Sequence, residues 1–81
     1  MECFICDNEV GNAGPREGDW ILVRCDWCTP YRVSGSLAAE LQIAGQRLEP
    51  KESRAWIEER RKEGEAEPMF TTYFQGRRDY P

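Results

Sequence analysis

Two Cys-x-x-Cys pairs, Cys3-Phe4-Ile5-Cys6 and Cys25-Asp26-Trp27-Cys28, constrain this chain more than any other feature. Two residues between ligands let one tight turn aim both sulfurs at a single ion. Two such turns complete a tetrahedron. With 18 residues between the pairs, the pattern lies inside the window expected of a four-cysteine zinc site. An iron site of the same geometry and redox thiols are the alternatives. The redox reading would want a thioredoxin-like βαβ context, which the pattern does not show. Four thiolates leave no open position for water or substrate, so a zinc ion held this way is structural rather than catalytic.

Size makes such a staple necessary. At 81 residues the chain reads as one domain, residues 1–81, near the length at which a hydrophobic core alone gives a thin margin. The opening Met1-Glu2-Cys3 has no signal-peptide pattern, and no apolar run approaches the length of a membrane span. The expectation is a cytoplasmic protein without a membrane partner, in a reducing compartment where cysteines serve metals rather than structural disulfides.

The coarse fold follows from local signals. Asp19 to Arg24 is rich in aromatic and branched residues and bounded by turn formers, which predicts a strand running into the second pair. Tyr31-Arg32-Val33 reads as a short return strand, and Gly11 to Gly18 as a long hairpin loop. Ser34 or Ser36 suits a helix N-cap, and the helix is expected over roughly 36–46, with Leu37, Leu41, Ala44 and Leu48 in one apolar stripe. Pro50 suits the first position of a second helix, on which Glu58 and Lys62 can pair across one turn and which Gly64 closes. Met69 to Phe74 has strand composition, and 75–81 is expected to be a flexible tail. The fold class is therefore α+β: a small zinc ribbon, meaning a β-hairpin with two Cys-x-x-Cys knuckles, followed by two short helices and a C-terminal strand that joins its sheet. A treble clef would place the last two ligands at the start of a helix, whereas here Tyr31 to Val33 and a Ser-Gly-Ser step intervene.

These residues resemble a family. Cys3, Cys6, Cys25, Cys28, the segment Tyr31-Arg32-Val33-Ser34-Gly35-Ser36, then Trp56-Ile57, Gly64-Glu65 and Pro68 are similar to zinc-ribbon domains N-terminal in larger, mostly uncharacterised bacterial proteins, some near defence systems. The resemblance implies the ribbon and its zinc but no settled activity. This chain departs from it in two ways. Glycine commonly follows each pair in such domains, because a knuckle can demand positive φ, while here Asp7 and Thr29 follow. A β-branched residue reaches that region poorly, so an atypical second turn is expected. The chain also ends at Pro81 without an effector domain, which suggests a standalone binder.

The net charge of −4 is uneven. Residues 1–24 carry five acids against two bases, and residues 51–81 carry seven of each. An acidic chain lacks the electrostatic footprint of a nucleic-acid binder, although a local basic face is compatible with it. Trp27, between two ligands on a turn, is a candidate partner anchor unless it packs against the opposite hairpin or the loop at Pro15. Trp20 and Trp56 are expected in the core. Asp7, Glu9, Glu17 and Asp19 form the candidate acidic face. Arg54 and Arg61 on the second helix, and Arg77 and Arg78 in the tail, are the candidate basic contacts, although interleaved glutamates usually mark a solvated helix surface.

There is no histidine, the cysteines are committed, and no nucleophile and base pair stands out, so no enzyme and no small-molecule substrate is expected. The leading expectation is a zinc-stabilised protein-interaction module, an adaptor or inhibitor. Size, charge and the defence-linked resemblance extend it to a phage or mobile-element anti-defence protein, similar in kind to an anti-CRISPR, that blocks a nucleic-acid-handling complex. The alternative is a nucleic-acid-binding zinc ribbon or transcriptional regulator.

Overall fold

The computed structural model describes residues 2–13 and 19–80. Strands Gly11–Ala13 (β1) and Trp20–Arg24 (β2) pair antiparallel, with Asn12 opposite Val23. The expected Gly11 to Gly18 loop therefore begins as strand. Its remainder, with Glu17, lies outside the described residues. After the second cysteine pair the chain returns as Tyr31–Ser34 (β3), antiparallel to β2 and in register Ile21 to Val33. Tyr31 and Val33 face the core while Arg32 and Ser34 are half-buried, the period-two alternation of a strand with one covered face.

Ser34 is the N-cap of helix Gly35–Ala44 (α1), its hydroxyl accepting from Leu37 N–H at 3.1 Å. Gly35 N–H donates to the Asp19 carbonyl, tying the helix start to the strand beside it. The helix stops two residues before the expected Gln46 because Gly45 adopts the left-handed conformation, φ 65°, that closes helices. Leu48 consequently leaves the expected helical stripe. It lies fully buried on strand Gln46–Leu48 (β4), and Ala44 is exposed.

Helix Pro50–Lys62 (α2) has Pro50 in its first turn and the Glu49 carboxylate capping Lys51 and Glu52 N–H at 3.1 and 2.7 Å. Glu58 and Lys62 pair at 3.7 Å, as their spacing predicts, and Gly64 follows at φ 102°. Strand Met69–Phe70 (β5) then adds to β3 in parallel, completing a four-stranded sheet of order β1-β2-β3-β5. It is shorter than the expected Met69 to Phe74. The Arg77 guanidinium takes the Thr72 and Phe74 carbonyls at 2.9 and 3.1 Å, so this backbone turns instead of extending.

The expected tail is corrected most plainly. Arg77–Asp79 forms strand β6, antiparallel to β4, with Arg47 opposite Arg78. Its composition is wholly charged, so no hydrophobic alternation announced it.

The core joins both layers. Tyr31, Val33, Leu37, Leu41, Leu48, Ile57 and Phe70 are buried in one cluster that also takes in Cys3, Cys25 and Cys28. Phe70 sits at its aromatic centre, with ring centroids 5.5 Å from Tyr31, 4.4 Å from Trp56 and 4.8 Å from Phe74. Trp56 is half-buried against this cluster, whereas the half-buried Trp20 is covered by the Arg32 guanidinium at 5.4 Å. Among the described residues no helix is long and apolar enough to cross a membrane.

Candidate metal centre

The second cysteine pair sits at strand ends, and the first lies in a turn ahead of β1. The first precedes β1, where an antiparallel bridge between Glu2 and Glu9 closes its turn. The second fills the connection from β2 to β3. The four sulfurs lie within 4.8 Å of one another, with Cys3 to Cys28 at 4.0 Å and Cys6 to Cys25 at 3.5 Å. All four cysteines are free. A tetrahedron with Zn–S bonds of about 2.3 Å has edges of about 3.8 Å. The cluster is therefore close to the size that one ion needs and could hold it.

The two turns share a local geometry. Cys3 Sγ accepts from Ile5 N–H at 3.4 Å, and Cys25 Sγ accepts from the Trp27 and Cys28 N–H groups. Such donors favour thiolate over thiol. Burial alone pushes the Cys6 thiol up, but the Asn8 backbone and side chain, the latter at 3.2 Å, together with Cys25 and Cys3, outweigh it and bring it to about 7. Cys25 and Cys28 are raised, chiefly by burial. Ionising all four at these distances would need a cation among them, and the cluster could hold one.

Both residues after the pairs sit at positive φ, Asp7 at 66° and Thr29 at 63°. The second turn is thus not atypical: it repeats the first, and a β-branched residue occupies the strained position. Asp7 is stabilised there by long-range partners. Its Oδ2 accepts from Arg78 at 2.8 Å, and its Oδ1 lies 3.5 Å from Arg47 Nε, at ion-pair but not hydrogen-bond geometry. Arg78 also donates to the Ile5 carbonyl at 3.0 Å, inside the first pair. Thr29 carries no charge with which to recruit such partners. Left-handed backbone costs a non-glycine residue roughly 1–2 kcal/mol, and glycine gives back part of that through unfolded-state entropy. Thr29→Gly is therefore expected to stabilise the metal-loaded protein by about 0.5–1 kcal/mol, a rise of a few degrees in Tm by calorimetry. Asp7→Gly should do the opposite, because it strips the arginines of their carboxylate.

Further groups around the sulfurs were not legible in the sequence. Tyr31, fully buried, accepts from Phe4 N–H at 3.0 Å, which directs its own proton to Cys3 Sγ at 3.1 Å. Burial first, and then the Cys3 charge, raise this phenol, so it remains a donor. Arg54 reaches Cys28 Sγ at 3.6 Å. Tyr31 was visible as a strand residue and as part of the resemblance, but nothing local connects its hydroxyl to a cysteine 28 positions earlier. Removing its hydroxyl orphans a buried N–H and a ligand's donor. Tyr31→Phe should cost about 1–3 kcal/mol of stability and about 10–100-fold in metal affinity, the latter read by competition with a chromophoric chelator. Unchanged affinity would sink the assignment.

The remaining candidates separate clearly. Trp27 is 63% exposed, and the loop at Pro15 lies outside the described residues. Glu9 and Asp19 are exposed, while Asp7 is clamped and contributes no free acidic face. Arg77 pairs with Glu40 at 3.0 Å as well as with the two carbonyls above, and Arg78 with Asp7. These two arginines serve the fold rather than an open basic surface. Arg61 donates to the Ala66 carbonyl at 2.7 Å and stays at the surface.

Comparison with known proteins finds no matching family model, no matching curated protein and no matching solved structure.

Proposed function

We propose that this chain is a zinc-stabilised protein-interaction module, a ribbon whose metal is structural and whose second knuckle presents Trp27 to a partner. The observation that carries the reading is an indole 63% exposed between two ligands that are themselves buried. An aromatic side chain held in water on a metal-braced turn has little conformational entropy left to lose, which is the property of an interface anchor. Zinc is the ion the donor set favours: four thiolates at tetrahedral spacing leave no position for chemistry. An iron centre with the same ligands would be coloured and redox-active, so metal analysis of the purified protein distinguishes the two.

The narrower reading, an inhibitor of a nucleic-acid-handling defence complex, rests on the acidic N-terminal half. Asp7 is committed to Arg47 and Arg78, which leaves Glu17 and Asp19 of that half as its support. A nucleic-acid-binding ribbon is less well supported, since Arg77 and Arg78, two of its four proposed contacts, are occupied internally.

The test is a tagged pull-down from host lysate, split into nuclease-treated and untreated halves. A discrete protein retained in both, and lost with Trp27→Ala, is the expected result. Recovery of nuclease-sensitive material alone would overturn the reading in favour of nucleic acid.

A further inference from the structure

Trp27 does not stand on a flat surface. It forms one wall of a groove of about 470 Å³ whose other wall is a face of α2. Arg54, Ile57, Glu58 and Arg61 recur there at three- and four-residue spacing, so a single helix face lines the cleft. The floor is apolar: Ile57 is 2% and Cys28 3% exposed. The volume lies within the range of small binding pockets and suits one large side chain with its backbone.

The rim is charged in one sense. Arg54, Arg61 and Lys62 face it against the single carboxylate of Glu58, which Lys62 already holds at 3.7 Å. Arg54 is directed at Cys28 Sγ. Arg61 donates to a neutral carbonyl, which leaves its charge without an acidic partner among the described residues. On a chain of net charge −4, this is a local basic rim around an apolar floor.

We infer that the groove binds a short acidic peptide segment of a partner protein, inserting one apolar or aromatic side chain between Trp27 and Ile57 and placing an adjacent carboxylate on Arg61. This rests on the protein-interaction reading and names the chemistry of its partner. Charge complementarity selects the occupant. One or two carboxylates meet the cations of the rim, whereas a polyanionic nucleic-acid strand would also meet Asp26 and Glu58, both exposed, and the acidic remainder of the chain.

The experiment is selection of a random peptide library, displayed on phage, against the immobilised metal-loaded chain. Enriched peptides are expected to share an apolar or aromatic residue with Asp or Glu nearby. Their affinity should fall at least about tenfold with Trp27→Ala and with Arg61→Glu. Exchanging the peptide's acid for lysine should restore binding to the Arg61→Glu chain, a rescue that misfolding would not produce. Both substitutions are at exposed positions, and metal content checks that each variant is folded. Peptides that bind both variants undiminished would overturn the groove while leaving an interaction module acting through another face. A folded chain that enriches no peptide also overturns the groove, and the lysate pull-down then decides whether the interaction reading falls with it. Binding of an oligothymidylate that is lost with Trp27→Ala would assign the groove to single-stranded nucleic acid instead.

Discussion

Cys25→Ser is expected to leave the chain largely unfolded, and stripping the metal from the unaltered protein with a strong chelator should have the same effect. The argument is one of scale. An 81-residue domain has a stability of a few kcal/mol from its core alone, whereas structural zinc bound by thiolates contributes apparent free energies of about 10–16 kcal/mol at neutral pH. Here the cysteine cluster is also part of the core, because Cys3, Cys25 and Cys28 belong to the same buried group as Tyr31, Leu41 and Phe70. Losing the ion would open both turns and leave raised, protonated thiols at Cys25 and Cys28 with nothing to hold them together. Acid should act by the same route. Metal binding depresses the thiol pKa values below those of the unfolded chain, so its contribution is lost as pH falls through the bound-state values. Metal release and loss of far-UV circular dichroism are expected to coincide in an acid titration. Native-like thermal stability of Cys25→Ser would mean that the four cysteines do not hold a structural ion.

Deleting residues 77–81 is the second large effect, and it separates a tail from a strand. A frayed tail could be removed at no cost. In this fold the deletion removes all of β6, and with it the ladder to β4. It also removes Arg78, which holds Asp7 at the end of the first cysteine turn and donates to the Ile5 carbonyl. The Arg77 bonds to Glu40 and to the Thr72 and Phe74 carbonyls go as well. These groups are partly solvated, so each bond contributes modestly, on the order of 1 kcal/mol. Together they should lower stability by about 3 kcal/mol or more, summing several such bonds. Metal affinity should weaken too, because the first turn loses one of the two cations, Arg47 and Arg78, that brace Asp7. Chelator competition and thermal melts on the shortened chain read both quantities. A deletion with unchanged Tm and affinity would show that β6 contributes nothing and that a flexible tail is the better description.

The cysteine cluster was legible because its constraint is local. A Cys-x-x-Cys turn is specified by four consecutive residues, and the positive φ it imposes falls on the next, where Asp7 and Thr29 stand out as misfits by residue type alone. Helix α2 was legible for a related reason: Pro50 and Gly64 bracket it, and Glu58 and Lys62 meet within one turn. The exposure of Trp27 was legible as a question, since residue type and position allowed either packing or exposure. The end of α1 was harder. Leu48 continues a helical period with Leu37, Leu41 and Ala44, and only the pairing of β4 with β6 shows that the period there is coincidental.

What the sequence by itself determined is what contacts within about a turn of chain set: four cysteines in two turns, the strands that flank the second, the proline that opens the second helix, and an α+β content. The tertiary structure alone decided that Arg77–Asp79 is a strand, that Arg47 and Arg78 converge on Asp7, that the Tyr31 hydroxyl reaches Cys3, and that Trp27 faces a groove against α2 while Trp20 and Trp56 are partly covered. The Tyr31 and Arg78 contacts join residues 28 and 71 positions apart. A charged segment such as Arg77-Arg78-Asp79 has no pattern of its own to advertise, and becomes a strand only because β4 and the first cysteine turn, both far away in sequence, offer it hydrogen-bond and ionic partners once the core has brought them near.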